Sequence, residues 1–190
     1  MNEPTKTYCI SEIELASGRR FNLLNPVAYT GIEHDIAHAL GNLCRYTGHC
    51  STFYSVAQHS VRVADRFNGS KRLALAGLLH DAHEGFTGDM SLPLKRALAL
   101  VGALDAYREI CRRIQAEICA HFGLHLTRQE EAEIKHADTR ELMYEAFHLM
   151  TSQGDGWDFP PCMDPQPLNA VSPTDGAKMF LERFERYSNQ

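Results

Sequence analysis

Three segments with helical apolar spacing each carry an ionisable side chain where a core residue is expected. In Val56–Phe67 the apolar stripe runs through Val56, Val63 and Phe67, and His59 falls on it. The run LALAGLL is apolar all round, which predicts a buried central helix, and His80 and Asp81 follow it directly. After Thr127, the residues Ile134, Asp138 and Leu142 recur at i, i+4 and i+8, so a carboxylate interrupts the stripe. A buried carboxylate without a partner is costly enough that it protonates or acquires one.

Each residue alone has a plain reading. His59 can be a hydrogen-bonded core histidine, and Asp138 can pair with Lys135 or Arg140. A second His-Asp dipeptide, His34-Asp35, opens an amphipathic segment, where an acidic residue is expected as a helix cap. Taken together, two imidazoles and two carboxylates are a suitable nitrogen and oxygen ligand set for one divalent cation.

Composition narrows the classes further. The chain has 190 residues, 44% hydrophobic and 23% charged, enough for one domain of globular composition with a core of its own. No apolar run approaches the roughly 20 residues of a spanning helix, and the first residues lack an apolar signal core. A cytoplasmic protein without membrane contact is the expectation. The net charge of −5 argues against a surface that binds duplex nucleic acid by neutralising many phosphates. The six cysteines include no C-x-x-C pair and read as reduced, mostly buried thiols.

The expected organisation is a single domain over 1–190, all-α with a small N-terminal β-hairpin. The hairpin is expected within 7–24, turning at Ser17-Gly18. Helices are expected over Asp35–Tyr46, Val56–Phe67, Lys71–Glu84, Lys95–Val101 and Ala103–His121, with a loop over Gly85–Pro93. Thr127 and Glu130 form a capping box that opens a helix to about Met150. Four prolines and several turn signals make 151–169 irregular. Ser172-Pro173 starts a last helix reaching about Tyr187.

In order and helix placement, His59, His80-Asp81 and Asp138 resemble the ligand pattern of the HD-domain phosphohydrolases. The resemblance spans about 32–150. It includes CRYTGHC at 44–50, YSVAQHS at 54–60, LLHDAHEGFTGDMSLPLK at 78–95 and IKHAD at 134–138, which are similar to the small nucleotidase branch. The branch includes 5′-deoxyribonucleotidases and dATP triphosphohydrolases. The resemblance implies a helical bundle and a divalent metal (Mn, Co, Zn, Mg or Fe) held by His59, His80, Asp81 and Asp138. It also implies a small nucleotide as substrate, and a homo-oligomer is expected.

By the same resemblance, Glu84 is a general acid/base and shares catalysis with Asp81, and an unbroken helix would set Glu84 one turn past His80. Arg45 matches a phosphate-gripping arginine, with Lys95 and Lys135 near the same group. Tyr46 stands where some members carry tryptophan and is assigned to the base or sugar. Asp89 is assigned to the sugar, and His83, three residues after His80, is placed to reach the phosphate, a second metal or solvent. The implied reaction is hydrolysis of the 5′-phosphate ester of a deoxynucleotide, best a monophosphate. Release of triphosphate from a deoxynucleoside triphosphate is the alternative, and a nucleotide sensor without turnover the further one.

Overall fold

Alternation with a glycine turn produces the first element. In a computed structural model describing residues 10–160, 162 and 166–188, β1 (Glu12–Glu14) pairs antiparallel with β2 (Arg20–Asn22), placing Ile13 opposite Phe21. Gly18 supplies the left-handed backbone of the turn at φ 76°. Phe21 is buried and stacks on Phe86, with ring centroids 4.1 Å apart. The start of the expected hairpin, residues 7–9 with Cys9, lies outside the described residues.

Asp35 corrects one expectation. Helix α1 spans Ile32–Asn42 and opens after Gly31, so Asp35 sits inside its first turn and caps nothing. Its carboxylate accepts from the Ser17 N–H (2.8 Å), the Ser17 hydroxyl (2.7 Å) and the Tyr29 hydroxyl, which fastens the hairpin turn to the helix. The helix also stops earlier than expected. Leu43 and Cys44 are extended, and a single 3₁₀ turn over Arg45–Gly48 follows.

Ser55 caps α2 (Val56–Asp65) by accepting from the Gln58 N–H. Eight of the ten α2 residues are buried, so α2 is the most enclosed helix rather than the LALAGLL segment. That segment forms α3 (Lys71–Leu78), and the expected continuous helix to Glu84 is broken. Leu79–His83 run as turns, and Glu84 opens α4 (Glu84–Thr87). The expected Gly85–Pro93 loop is correspondingly shorter, because α5 (Leu92–Leu100) begins with Pro93 in its first turn.

Helix α6 spans Leu104–His121. Helix α7 (Arg128–Leu149) opens with both halves of the Thr127–Glu130 capping box formed. Residues 151–160 are turns, and α8 spans Pro173–Ser188. The core lies where α1, α2, α3 and α8 meet. Gly41 allows the α1–α8 approach, since a methyl there would fall 2.7 Å from the Pro173 carbonyl oxygen. The fold is all-α with a small β-hairpin. Among the described residues no helix is long and apolar enough to cross a membrane. Of the five described cysteines only Cys111 is fully buried, the others being half-buried, so the thiols are less enclosed than expected.

Candidate metal centre

Four side chains from three parts of the chain converge. His59 comes from the middle of α2, His80 and Asp81 from the turn after α3, and Asp138 from α7. One ligand atom from each lies within 4.8 Å of all the others. His59 Nε2 is 3.1 Å from Asp138 Oδ1, and His80 Nε2 is 3.0 Å from Asp81 Oδ2. The break after Leu78 has a purpose here. Consecutive residues of a helix point about 100° apart. Leaving the helix lets His80 and Asp81 aim at one point.

Both rings are fixed through their other nitrogen. His80 Nδ1 is 2.8 Å from the Gly77 carbonyl, which can only accept, so Nδ1 carries the proton. His59 Nδ1 lies 2.7 Å from Glu145 Oε1. A neutral ring held this way turns a bare Nε2 lone pair toward a carboxylate. Both Nε2 atoms are buried without a properly directed hydrogen bond. Lone pairs facing carboxylate oxygens at such distances repel unless a proton or a cation stands between them. The four residues therefore fit a divalent cation by donor type and by the polar atoms left over.

In the metal-free site the carboxylates draw a positive charge to the same point, as a second proton on the imidazoles. Burial disfavours the charged form of His80, yet Asp81 and Asp138 hold its pKa well above the ordinary value. Burial and Arg45 oppose charging of His59, but Glu145 and Asp138 prevail and raise its pKa. Burial works against ionisation of Asp138 and Asp81, and the two histidines nevertheless keep both far below the usual carboxylate range.

Sequence reasoning missed Glu145. It is fully buried, and it binds His59 Nδ1 with one oxygen and Arg45 Nε (2.7 Å) with the other. The Tyr46 hydroxyl also donates to that second oxygen at 3.1 Å. The signal was present: Glu145 stands seven residues after Asp138, two turns on along one face of α7. Arg45 is itself buried, with its Nε committed to this carboxylate. The same Tyr46 hydroxyl lies 3.1 Å from the Leu142 carbonyl, so its one proton is shared between the two acceptors, and its ring lies 6.1 Å from that of Trp157.

Glu84 is buried, and its Oε2 has no partner. Burial, then the charges of Asp81 and Asp89, push its pKa up to about 9, so it is protonated at neutral pH. Burial raises Asp89 as well, against the pull of Arg45. Lys95 is close enough to act electrostatically on both carboxyls. Lys135 reaches Asp138 Oδ2 at 2.6 Å with an exposed side chain, so the salt bridge weighed from sequence coexists with the ligand set. His83 lies outside the four-ligand group. Its backbone N–H and Nδ1 face Gln115 Oε1, and burial lowers its pKa.

A helical protein with a histidine–aspartate site able to hold a metal ion is thus defined. No protein-family model matches the chain. It is 33% identical over 161 residues to the uncharacterized protein YfdR of Escherichia coli K12, covering 82% of this chain and 83% of that one. It is 37% identical over 141 residues to an uncharacterized protein of Rhodobacter capsulatus, covering 70% of this chain and 69% of that one. The chain belongs to the family of these two proteins.

Proposed function

We propose that this chain is an HD-domain-like, metal-dependent phosphohydrolase that cleaves the 5′-phosphate ester of deoxynucleotides, with monophosphates as the best substrates. The observation that carries the reading is Glu84: a buried carboxyl with an unpartnered oxygen, adjoining a four-residue ligand set, its pKa raised by burial and by Asp81 and Asp89. A site that only bound a metal would have no use for such a group.

His59, His80, Asp81 and Asp138 would hold the ion, and this ligand set suits Mn, Co, Zn, Mg and Fe. A divalent ion in such a site supplies Lewis-acid polarisation of a phosphoryl oxygen and acidification of water. Glu84 gives its proton to the leaving 5′ oxygen, whose developing charge would otherwise stall bond breaking. Arg45, anchored at Nε by Glu145, would offer its remaining guanidinium donors to the phosphoryl oxygens, and Lys95 and Lys135 would add charge. Tyr46, Asp89 and His83 would contact base, sugar and phosphate. The setting we assign is a cytoplasmic homo-oligomer, where nucleotide substrates occur.

The test is to load the protein with each metal and measure release of phosphate, pyrophosphate and triphosphate from nucleoside mono-, di- and triphosphates. Glu84→Gln should lose about 10²–10⁴-fold in rate while keeping metal content and nucleotide affinity. Turnover within a few-fold of the parent would remove Glu84 from its role. Absence of any phosphate release with every metal would overturn the hydrolase reading.

A further inference from the structure

The loop that carries Arg45 and Tyr46 has a cysteine at each end. Cys44 Sγ and Cys50 Sγ are 3.5 Å apart, and Cys50 also points its thiol at the Arg45 carbonyl (3.7 Å). The stem below them is tied together. Cys44 forms an antiparallel bridge with Ser55, and the Arg45 N–H donates to the Tyr54 carbonyl at 2.9 Å. Between the cysteines, Tyr46 and Thr47 both adopt left-handed backbone at φ 56° and 55°. Two successive non-glycine residues in that region cost about 1–2 kcal/mol each, and persist only where the surroundings hold them.

We propose that Cys44 and Cys50 are a reversible dithiol–disulfide pair, oxidised by low-molecular-weight disulfides, that clasps this loop. Both side chains are half-buried, so a small disulfide can reach them, and closure requires a shift of only about 1.5 Å between sulfurs to reach the ~2.05 Å bond. One thiolate attacks the small disulfide, forming a mixed disulfide and expelling one small thiolate. The second cysteine then attacks the mixed disulfide and expels the other. The two protein thiols are oxidised by two electrons, the small disulfide is reduced to two thiols, and the protons pass from protein to released thiols. Burial and the neighbouring Cys44 raise the Cys50 thiol, so exchange accelerates with rising pH.

The clasp fixes Arg45 and Tyr46 in the conformation that meets Glu145. The crosslink itself does not rest on the proposed function. The full-length protein is incubated with oxidised glutathione at pH 8 and analysed by mass spectrometry with peptide mapping. Loss of two hydrogens per chain, mapped to Cys44–Cys50 and reversed by dithiothreitol, is the expected result. Cys44→Ser and Cys50→Ser should each abolish that crosslink while Cys119→Ser leaves it. The oxidised parent should melt about 4–8 °C higher than the reduced one, and the serine variants should show no such gain. Stable glutathione adducts at Cys44 or Cys50 without closure, or a crosslink through other cysteines, would overturn the proposal. If the crosslink forms and no nucleotide is bound or cleaved, the clasp stands and the hydrolase reading falls.

Discussion

Two buried glutamates, Glu141 and Glu145, lie one turn apart on α7, and they are used in opposite ways. Glu141 is closed. Arg62 Nε donates to one oxygen at 2.6 Å, Arg66 donates to the other, and no atom of the cluster is left over. Glu145 is saturated too, but through His59 it leads to an Nε2 that lacks a properly directed hydrogen bond. Around it, His80 Nε2 likewise lacks a directed hydrogen bond, and Glu84 Oε2 has no partner. Saturated buried charge builds structure, whereas unsaturated buried charge facing a common point builds a site.

The comparison is broken most severely at the ligands. His80→Ala or Asp81→Asn should abolish metal binding and any turnover, read by metal stoichiometry and phosphate release. A chelator should lower the melting temperature of the parent and leave these variants unchanged. Retention of one tightly bound metal per chain in either variant would mean the four residues are not the ligand set.

Glu145→Gln should weaken metal affinity by about 10–100-fold, because the carboxylate orients His59 and raises its basicity. Titration with a competing chelator measures this. Glu141→Gln supplies the contrast. It should leave metal affinity within about twofold yet cost about 2–3 kcal/mol in denaturant unfolding, less than a fully buried pair because both arginines keep some water. Equal losses of metal affinity in the two variants would erase the distinction.

The last effect is a slope. Folded Glu84 keeps its proton to about pH 9, whereas the unfolded chain releases it near its ordinary value of 4.5. Between those limits the folded state holds the extra proton, so stability falls as pH rises through the window. In metal-free protein, Glu84→Gln should flatten the decline of melting temperature from pH 5 to 9. An unchanged slope would mean that Glu84 is ionised in the fold.

Most elements were legible because local chemistry specifies them: the Thr127–Glu130 box, the Ser172-Pro173 start and the Gly18 turn each act within a few residues. The misreadings have one cause. Apolar spacing continues through Leu79, so the sequence does not reveal that α3 yields at Leu78. Asp35 likewise looks like a cap, because nothing near it in the chain announces Ser17 and Tyr29.

What the sequence determined by itself was the conflict: His59, His80, Asp81 and Asp138 on or beside apolar surfaces that have to be buried, a periodicity argument that needs no coordinates. The tertiary structure decided how the conflict resolves. It opened the chain after α3 so that neighbouring residues could face one point, and it set Glu145 behind His59 and Arg45 across 86 and 100 residues of chain. Such pairings depend on how α2 and α7 cross, and helix crossing is fixed by whole packed surfaces rather than by any local run of residues.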